Sequence, residues 1–264
     1  MLAQPGPNRQ AFPSIHLLGV RVDSLSPQEL FEAIRDAIQE RRKVLIINAN
    51  VQALNLAYEH VWFRNFQNSS EVDFCDGYGI LLAARLCGLK IKARFTYPDI
   101  VEALAQFSET NGFTFYFLGA RPGIVERAAV RLKVSCPRLQ VAGMHHGYFD
   151  KSPQSKESQA VIAEINACKP DILFVGFGMP LQEQWLVENW NQINSLVALT
   201  GGAVFDYISG NISRAPHWMT DHGLEWLGRL WVEPRRLWKR YLIGNPLFVW
   251  RILIHEVLGV PLPR

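Results

Sequence analysis

The stretch Asp171-Ile-Leu-Phe-Val-Gly-Phe-Gly-Met-Pro-Leu-Gln-Glu-Gln-Trp185 is the part of the sequence that best indicates the fold. Residues 172–175 are all apolar and rich in β-forming side chains, which predicts a strand buried in a parallel sheet. Gly176 and Gly178 then interrupt the strand. Pro180 is suited to the first turn of a helix, because the N–H that it lacks would have no partner there. A buried strand followed by a helix is the repeating unit of an α/β sheet.

The turn between this strand and this helix is also a candidate ligand site. In open α/β sheets, ligands bind where the strands end. Glycines let a ligand approach the backbone, and the N-terminus of a helix attracts anions. We therefore expect a ligand here, with Gln182 and Glu183 reaching into its site. Gln182 could equally be a solvated residue of the first helical turn.

Strands and helices alternate along most of the remaining chain. Apolar runs that predict strands cover residues 15–22, 44–47, 72–75, 114–118, 139–142, 172–175 and 196–200. Ser26-Pro27-Gln28-Glu29 is a capping-box start for the first helix. The alternation predicts an α/β fold with a Rossmann-like parallel sheet of roughly six strands, flanked by helices.

The chain divides into three segments. Residues 1–14 have no apolar stretch like that of a signal peptide, and we expect a flexible tail. Residues 15–210 form the α/β domain, and residues 211–264 form a helical appendage with breaks at Pro234 and Asn245-Pro246. We expect the sheet domain to stay folded without this appendage.

The appendage differs from the rest of the chain in charge and aromatic content. From Arg214 onward there are eight Lys and Arg against four Asp and Glu, and five of the eight Trp. Basic charge with interleaved Trp is typical of segments that dock on an anionic membrane surface or bind a polyphosphate. Arg229, Arg236 and Lys239 share a face if the helical phase continues through Pro234. Alternatively, they form a solvated basic face.

The composition limits the remaining possibilities. A hydrophobic share of 48% supports a packed core, and no uncharged apolar run is long enough to span a membrane. The four cysteines show no metal-binding spacing, which indicates reduced thiols. His145 and His146 are adjacent, a spacing unlike that of zinc ligands, and no Asp-x-Asp pair is present for a nucleotide-bound metal. We expect no metal, no cofactor and no nucleic-acid partner; the oligomeric state stays open.

Asp76 follows an apolar strand and precedes a glycine and an apolar helix. One interpretation is an N-cap, since Asp accepts N–H bonds well at that position. The other is a general base, which requires one carboxylate at a cleft. Gly119-Ala120-Arg121-Pro122-Gly123 is similar to a dinucleotide-binding turn, but the GxGxxG pattern of a Rossmann oxidoreductase is absent.

Seven ordered motifs make the chain resemble one known family over about residues 15–242. They are Asp76-Gly77-x-Gly79, Leu118-Gly119-Ala120-x-Pro122-Gly123, His146-Gly147-Tyr148-Phe149, Val175-Gly176-x-Gly178-x-Pro180-x-Gln182-Glu183, Phe205-Asp206-x-x-Ser209-Gly210, Arg214-Ala215-Pro216 and Gly223-Leu224-Glu225-Trp226-Leu227-x-Arg229-Leu230. The chain resembles the WecG/TagA/CpsF glycosyltransferases. The resemblance implies an inverting, metal-independent hexosyltransferase of cell-surface polysaccharide synthesis.

The resemblance also implies substrates and a location. The enzyme would move N-acetylmannosamine, or its uronic acid, from a UDP donor to N-acetylglucosamine on a polyprenyl diphosphate. It would be cytoplasmic and peripheral on the inner face of a prokaryotic plasma membrane. The alternatives are transfer of another UDP-hexose to a lipid-linked acceptor, or a non-catalytic subunit that binds nucleotide sugars in a polysaccharide complex.

The resemblance, together with the polar residues and glycines at the predicted strand ends, gives the expected site residues. Asp76 matches the catalytic base, and Gln182, Asn48 and Arg94 are placed with it in the catalytic site. Expected substrate-binding residues are Asn50, Gly77, Gly119, Ala120, Gly123, Tyr148, Gly176, Gly178 and Asp206. Residues expected at the acceptor diphosphate or in the appendage are Arg214, Arg229, Arg236 and Lys239. The sequence departs from the family at Asn48, where Thr is usual, and at Tyr97, where Gly is common, so the sugar pocket is expected to differ.

Overall fold

A computed structural model describes residues 12–262, except for the side chains of His217 and Asp221. These residues form a single sheet of eight strands. The strands are β1 (Ser14–Leu17), β2 (Val20–Asp23), β3 (Val44–Ala49), β4 (Val72–Cys75), β5 (Thr114–Gly119), β6 (Gln140–His145), β7 (Ile172–Gly176) and β8 (Val197–Thr200). Their order across the sheet is β1-β2-β4-β3-β8-β7-β5-β6, and every pairing is parallel except β1 with β2. The predicted α/β fold is confirmed, with eight strands in place of roughly six.

The first predicted strand, 15–22, is wrong as a single strand. Leu18 has a φ of 51° and Gly19 a φ of 76°, so the chain reverses there and β1 pairs antiparallel with β2. Two successive positive φ angles are typical of the tight turns that join hairpin strands. The alternating apolar pattern hides this turn, because Leu18 is itself buried.

Helices connect the strands. They are α1 (Pro27–Gln39), α2 (Val51–Glu59), α3 (Val61–Ser69), α4 (Tyr78–Leu86), α5 (Tyr97–Asn111), α6 (Ile124–Ser135), α7 (Lys156–Cys168), α8 (Leu181–Asn189) and α9 (Val204–Ile208), with a 3₁₀ turn at Trp190–Gln192. The capping box at Ser26 and Glu29 is confirmed. A second capping box, at Thr96 and Asp99, starts α5. Tyr97 packs there between the rings of Phe74 and Phe174.

The helices form one layer on each face of the sheet. Phe31 of α1, Leu104 of α5 and Phe205 of α9 belong to the core cluster on one face. Side chains of α2, α4, α7 and α8 pack in two clusters on the other face. The expected tail of residues 1–14 lies almost wholly outside the described residues, and Ser14 already belongs to β1.

The C-terminal segment contains α10 (His217–Asp221), α11 (Glu225–Val232), α12 (Pro234–Trp238) and α13 (Gly244–Ile252). Two π-helical turns, Lys239–Ile243 and Leu253–Val257, make the helix continuous from Pro234 to Val257. The predicted break at Asn245-Pro246 is therefore wrong. The first π turn resets the hydrogen-bond register, so Pro246 lies in the first turn of α13, where a missing N–H costs little.

Helix α13 is part of the core of the sheet domain. Phe248 and Ile252 are buried with side chains of β1, β2, α2 and α4. Arg251 Nη1 donates to Asn55 Oδ1 at 2.9 Å, and Arg251 Nη2 pairs with Glu59 at 2.7 Å. Cutting the chain before α13 would expose this core, so the expected independence of the sheet domain has no support in the packing. Among the described residues, no helix is both long and apolar enough to cross a bilayer.

Candidate active site

A cleft of about 1630 Å³ lies where the parallel strands end. Its strand-end wall consists of residues that follow β3, β4, β5, β7 and β8, and its C-terminal wall consists of residues after Gly210. In the sheet, β4 and β3 lie on one side of the boundary between β3 and β8, and β5 to β8 lie on its other side. This boundary is a topological switch point, and the cleft contains it. The expected site residues that line the cleft are Asn48, Asn50, Asp76, Gly77, Arg94, Ala120, Tyr148, Gly176, Gly178, Gln182, Asp206, Arg229 and Arg236. Gly119, Gly123, Arg214 and Lys239 do not line it.

Asp76 lies at the carboxyl end of β4 and is half-buried. Its Oδ2 accepts a short hydrogen bond from Asn48 Nδ2 and a longer one, 3.5 Å, from Asn50 Nδ2. The side-chain Oδ1 of Asn48 accepts a hydrogen bond from Thr200 Oγ1 at 3.5 Å, and this bond turns Nδ2 of the same amide towards Asp76. Asn50 also caps α2, since its Oδ1 accepts from Ala53 N at 3.0 Å. These contacts hold the carboxylate at the cleft rather than at a helix start, because Gly77 is the N-cap residue of α4.

The environment of Asp76 makes its carboxylate more basic than that of an ordinary aspartate. Burial, together with the nearby charge of Glu225, raises the pKa of Asp76 to about 6, although the two asparagine bonds and Arg240 act in the opposite direction. A carboxylate with a pKa just below neutrality is ionised at pH 7 and still basic enough to accept a proton. Asp76 therefore has the position and the protonation state of a general base.

Gln182 connects two strand ends. Its Oε1 accepts from Gly178 N at 3.2 Å and from Gly202 N at 3.1 Å, so it joins the turn after β7 to the turn after β8. Its Nε2 donates to Glu183 Oε1 at 2.7 Å. The side chain is fully buried, and these bonds use both ends of the amide. Gln182 thus shapes the floor of the cleft.

Glu183 is buried behind Gln182 and outside the cleft lining. Burial raises the pKa of Glu183 to about 7, against the hydrogen bond from Gln182. Its Oε2 has no hydrogen-bond partner in the described part of the chain. Glu183 thus orients the Gln182 amide and does not reach a ligand directly, contrary to the expectation from the sequence.

Two arginines present unused donors near the cleft. Arg94 lies over the ring of Tyr78, 4.6 Å from its centroid, and its Nη1 is buried without a partner in the described structure. Arg229 lies 5.6 Å from the centroid of the Tyr207 ring, and its Nε is likewise unpartnered there. Guanidinium groups bind phosphate and carboxylate oxygens strongly. Both arginines line the cleft, so each can contribute positive charge to an anion-binding site there.

The glycines expected to bind substrate divide into two groups. Gly176 and Gly178 line the cleft, whereas Gly119 is needed for packing, because a Cβ there would lie 2.4 Å from Gly176 O. Gly123 precedes α6 with a φ of 82°.

At the outer rim, the exposed Tyr148 accepts from Arg121 Nε at 3.4 Å, and Asp206 accepts from Asn211 Nδ2 at 2.9 Å.

The C-terminal wall departs most from the expected residues. Arg214 forms an ion pair with Asp99. Lys239 is exposed beside the Trp238 ring, while its neighbour Arg240 lines the cleft. No group of three or more His, Cys, Asp or Glu side chains within residues 12–262 could hold a metal ion.

The sequence profile described as "Glycosyl transferase WecG/TagA/CpsF family" matches residues 15–259. The chain belongs to this family. It is similar to proteins named N-acetylglucosaminyldiphosphoundecaprenol N-acetyl-beta-D-mannosaminyltransferase from Staphylococcus aureus. The relatives from strains NCTC 8325 / PS 47 and COL are 28% identical over 240 residues, and that from strain MRSA252 is 27% identical. Each match covers 90% of this chain and 91% of the relative.

Membership in this family makes the protein a glycosyltransferase and removes the Rossmann oxidoreductase as an alternative. Among the charged residues that line the cleft of this transferase, Glu225 and Arg240 act on the pKa of Asp76, and the sequence assigned neither of them to the site. Glu225 lies within one of the family motifs, but the motif itself does not indicate a role for this residue. Arg240 directly follows Lys239, and a π turn at these residues places Arg240, not Lys239, at the cleft. The sequence does not predict this turn, because its apolar pattern is analysed at the α-helical period of 3.6 residues per turn.

Proposed function

We propose that this glycosyltransferase moves N-acetylmannosamine, or its uronic acid, from a UDP donor to N-acetylglucosamine on a polyprenyl diphosphate. The similarity over 90% of the chain to transferases named for that reaction carries the proposal. The position of Asp76 at the cleft supports it, since transfer to a hydroxyl requires a base.

Asp76 is the base in the proposed mechanism. The acceptor 4-hydroxyl attacks the anomeric carbon of the donor as its bond to the diphosphate breaks, and its proton passes to the Asp76 carboxylate. Attack from the face opposite the leaving group inverts the anomeric configuration. Asn48 and Asn50 keep the carboxylate in place through their bonds to Oδ2.

The departing UDP carries negative charge that must be stabilised. Arg94 and Arg229 supply unpartnered donors, and Arg240 adds a third cation in the same cleft. Fixed cations of this kind can stabilise a leaving diphosphate. We propose that they do so without a divalent metal.

Peripheral attachment to the inner face of the plasma membrane is part of the proposal. Trp218 and Trp231 are exposed by 61% and 88%, and they share the C-terminal segment with its basic residues. Such side chains suit the interface of an anionic bilayer. Binding to vesicles with and without phosphatidylglycerol measures this directly, and equal affinity for both would contradict the charge-based attachment.

The test of the activity is transfer from a panel of UDP-sugars to a synthetic GlcNAc-diphospholipid in the presence of EDTA. We expect one N-acetylmannosamine-type donor to give an inverted disaccharide, identified by mass spectrometry and NMR. Turnover with another UDP-hexose alone would assign a different donor. Binding of UDP-sugars without turnover of any of them would indicate a non-catalytic subunit.

A further inference from the structure

A second, smaller cavity adjoins the cleft on the C-terminal segment. This groove has a volume of about 540 Å³. Its lining residues are Trp226, Tyr241, Leu242, Asn245, Pro246, Val249, Trp250 and Leu253. Of these, Asn245 alone has a fully polar side chain. The groove is therefore a binding surface for hydrocarbon.

The groove is adjacent to the cleft. Trp226, Tyr241, Asn245 and Val249 line both cavities, so these side chains lie between a ligand in the cleft and the groove. The cleft contains several arginines, whereas the groove has no charged lining residue. The two cavities together therefore suit an amphiphile with an anionic head and an apolar chain.

The groove is built on a rigid base. Asn55 Nδ2 donates to the carbonyl of Gly244 at 2.8 Å, and Arg251 bonds to Asn55 and Glu59. Phe248 is buried on the inner side of the same helix. On the outer side, Leu253, Leu242 and Trp250 are exposed by 39%, 55% and 61%. Contiguous exposed apolar side chains on a fixed helix mark an interaction site.

We propose that this groove binds the first isoprene units of the acceptor lipid, while the diphosphate of the same molecule lies among the cleft arginines. The inference rests on the proposed function for the identity of the ligand. It assigns the groove to the substrate itself, and not to the bilayer or to a second copy of the chain. The lipid would thereby contribute to recognition of the acceptor as well as to its location.

The test uses the intrinsic fluorescence of Trp226 and Trp250, which line the groove. Farnesyl diphosphate and inorganic diphosphate are titrated into the whole protein in buffer without membrane or detergent. We expect the prenyl compound to bind at least about tenfold more tightly, because each buried methylene adds severalfold in affinity. The double variant Leu242→Ser/Leu253→Ser changes groove residues that do not line the cleft. It is expected to weaken farnesyl diphosphate about tenfold and to leave inorganic diphosphate unchanged.

Trp231→Ser is the matched control, since Trp231 is exposed but outside the groove. It should bind both diphosphates like the parent protein. Equal affinity of the parent for the two compounds, or an unchanged affinity of the double variant for farnesyl diphosphate, overturns the proposal. So does a double variant that loses only vesicle binding or only self-association. If the groove binds the prenyl chain but no UDP-sugar is transferred, the proposed function fails, and the groove is a prenyl-binding site without an assigned acceptor.

Discussion

The strand-end wall of the cleft holds its polar side chains by hydrogen bonds, whereas the C-terminal wall presents cations and apolar side chains that are partly open to solvent. Asp76 and Gln182 are held by contacts with strand ends and their turns. Arg236 and Trp250, in contrast, are exposed. The difference indicates a division of labour: fixed groups suit proton transfer, and exposed groups suit recognition of a large amphiphilic substrate.

The division is not one between a rigid domain and a loose appendage. Helix α13 contributes Phe248 and Ile252 to the core while it presents Val249 and Trp250 on its outer side. One helix therefore serves stability on one face and recognition on the other. Substitutions on the two walls, and on the two faces of α13, should separate these roles.

The largest expected effect on the strand-end wall comes from Asp76→Asn. Loss of the base should lower turnover by about 10²–10⁴ while UDP affinity, measured by calorimetry, stays close to that of the parent. The variant should also be more stable at pH 8, because it removes a carboxylate whose ionisation is opposed by burial. Transfer at the parental rate would reduce Asp76 to a structural residue.

Phe248→Ala tests the inner face of α13. Removing a buried aromatic side chain from the core should lower the free energy of unfolding by about 3–5 kcal/mol, as measured by denaturant titration. Trp250→Ala, two residues further on the exposed face, is the control and should change stability by less than about 0.5 kcal/mol. Similar losses for both variants would contradict the two-faced role of this helix.

Glu183→Gln tests the buried support of the strand-end wall. Because the pKa of Glu183 is raised from 4.5 to about 7, the folded state binds its proton more tightly than the unfolded state. This contribution to stability is full below pH 4.5 and is lost as the pH rises through about 7. The variant lacks this titrating group, so its free energy of unfolding at pH 8 should exceed that of the parent by on the order of 1–3 kcal/mol.

The measurement is the free energy of unfolding from pH 4 to pH 8. Glu188→Gln on the same helix is the control, and it should follow the parental curve. If the free energy of unfolding of Glu183→Gln changes with pH as it does in the parent, this carboxyl does not contribute to the pH dependence of stability.

The smallest effect is expected from Arg240, a cation of the C-terminal wall that lowers the pKa of Asp76 on the strand-end wall. Parental turnover should fall as the pH drops through about 6, because Asp76 is then protonated. Arg240 lowers the pKa of Asp76, so Arg240→Gln should raise it and move this acid limb to higher pH. The pH–rate profile of kcat/KM measures the shift, and Lys239→Gln, outside the cleft, should leave the limb in place.

Much of the molecule could be predicted from short stretches of sequence. The strand before Gly176, the capping box at Ser26 and the position of Asp76 after β4 all depend on neighbouring residues. Hydrophobic period, turn-forming glycines and caps are local properties, so a sequence contains them directly. The motifs added the family and, with it, the kind of reaction.

Other features were decided only when distant parts of the chain packed together. Thr200 orients Asn48 across two strands, and Gln182 joins the turns after β7 and β8. The π turn brings Arg240 rather than Lys239 to the cleft, and α13 continues through Pro246 on the core that it helps to form. Local patterns could not reveal these contacts, because each depends on strand order and helix phase. Those are set by burial of apolar surface across the whole domain.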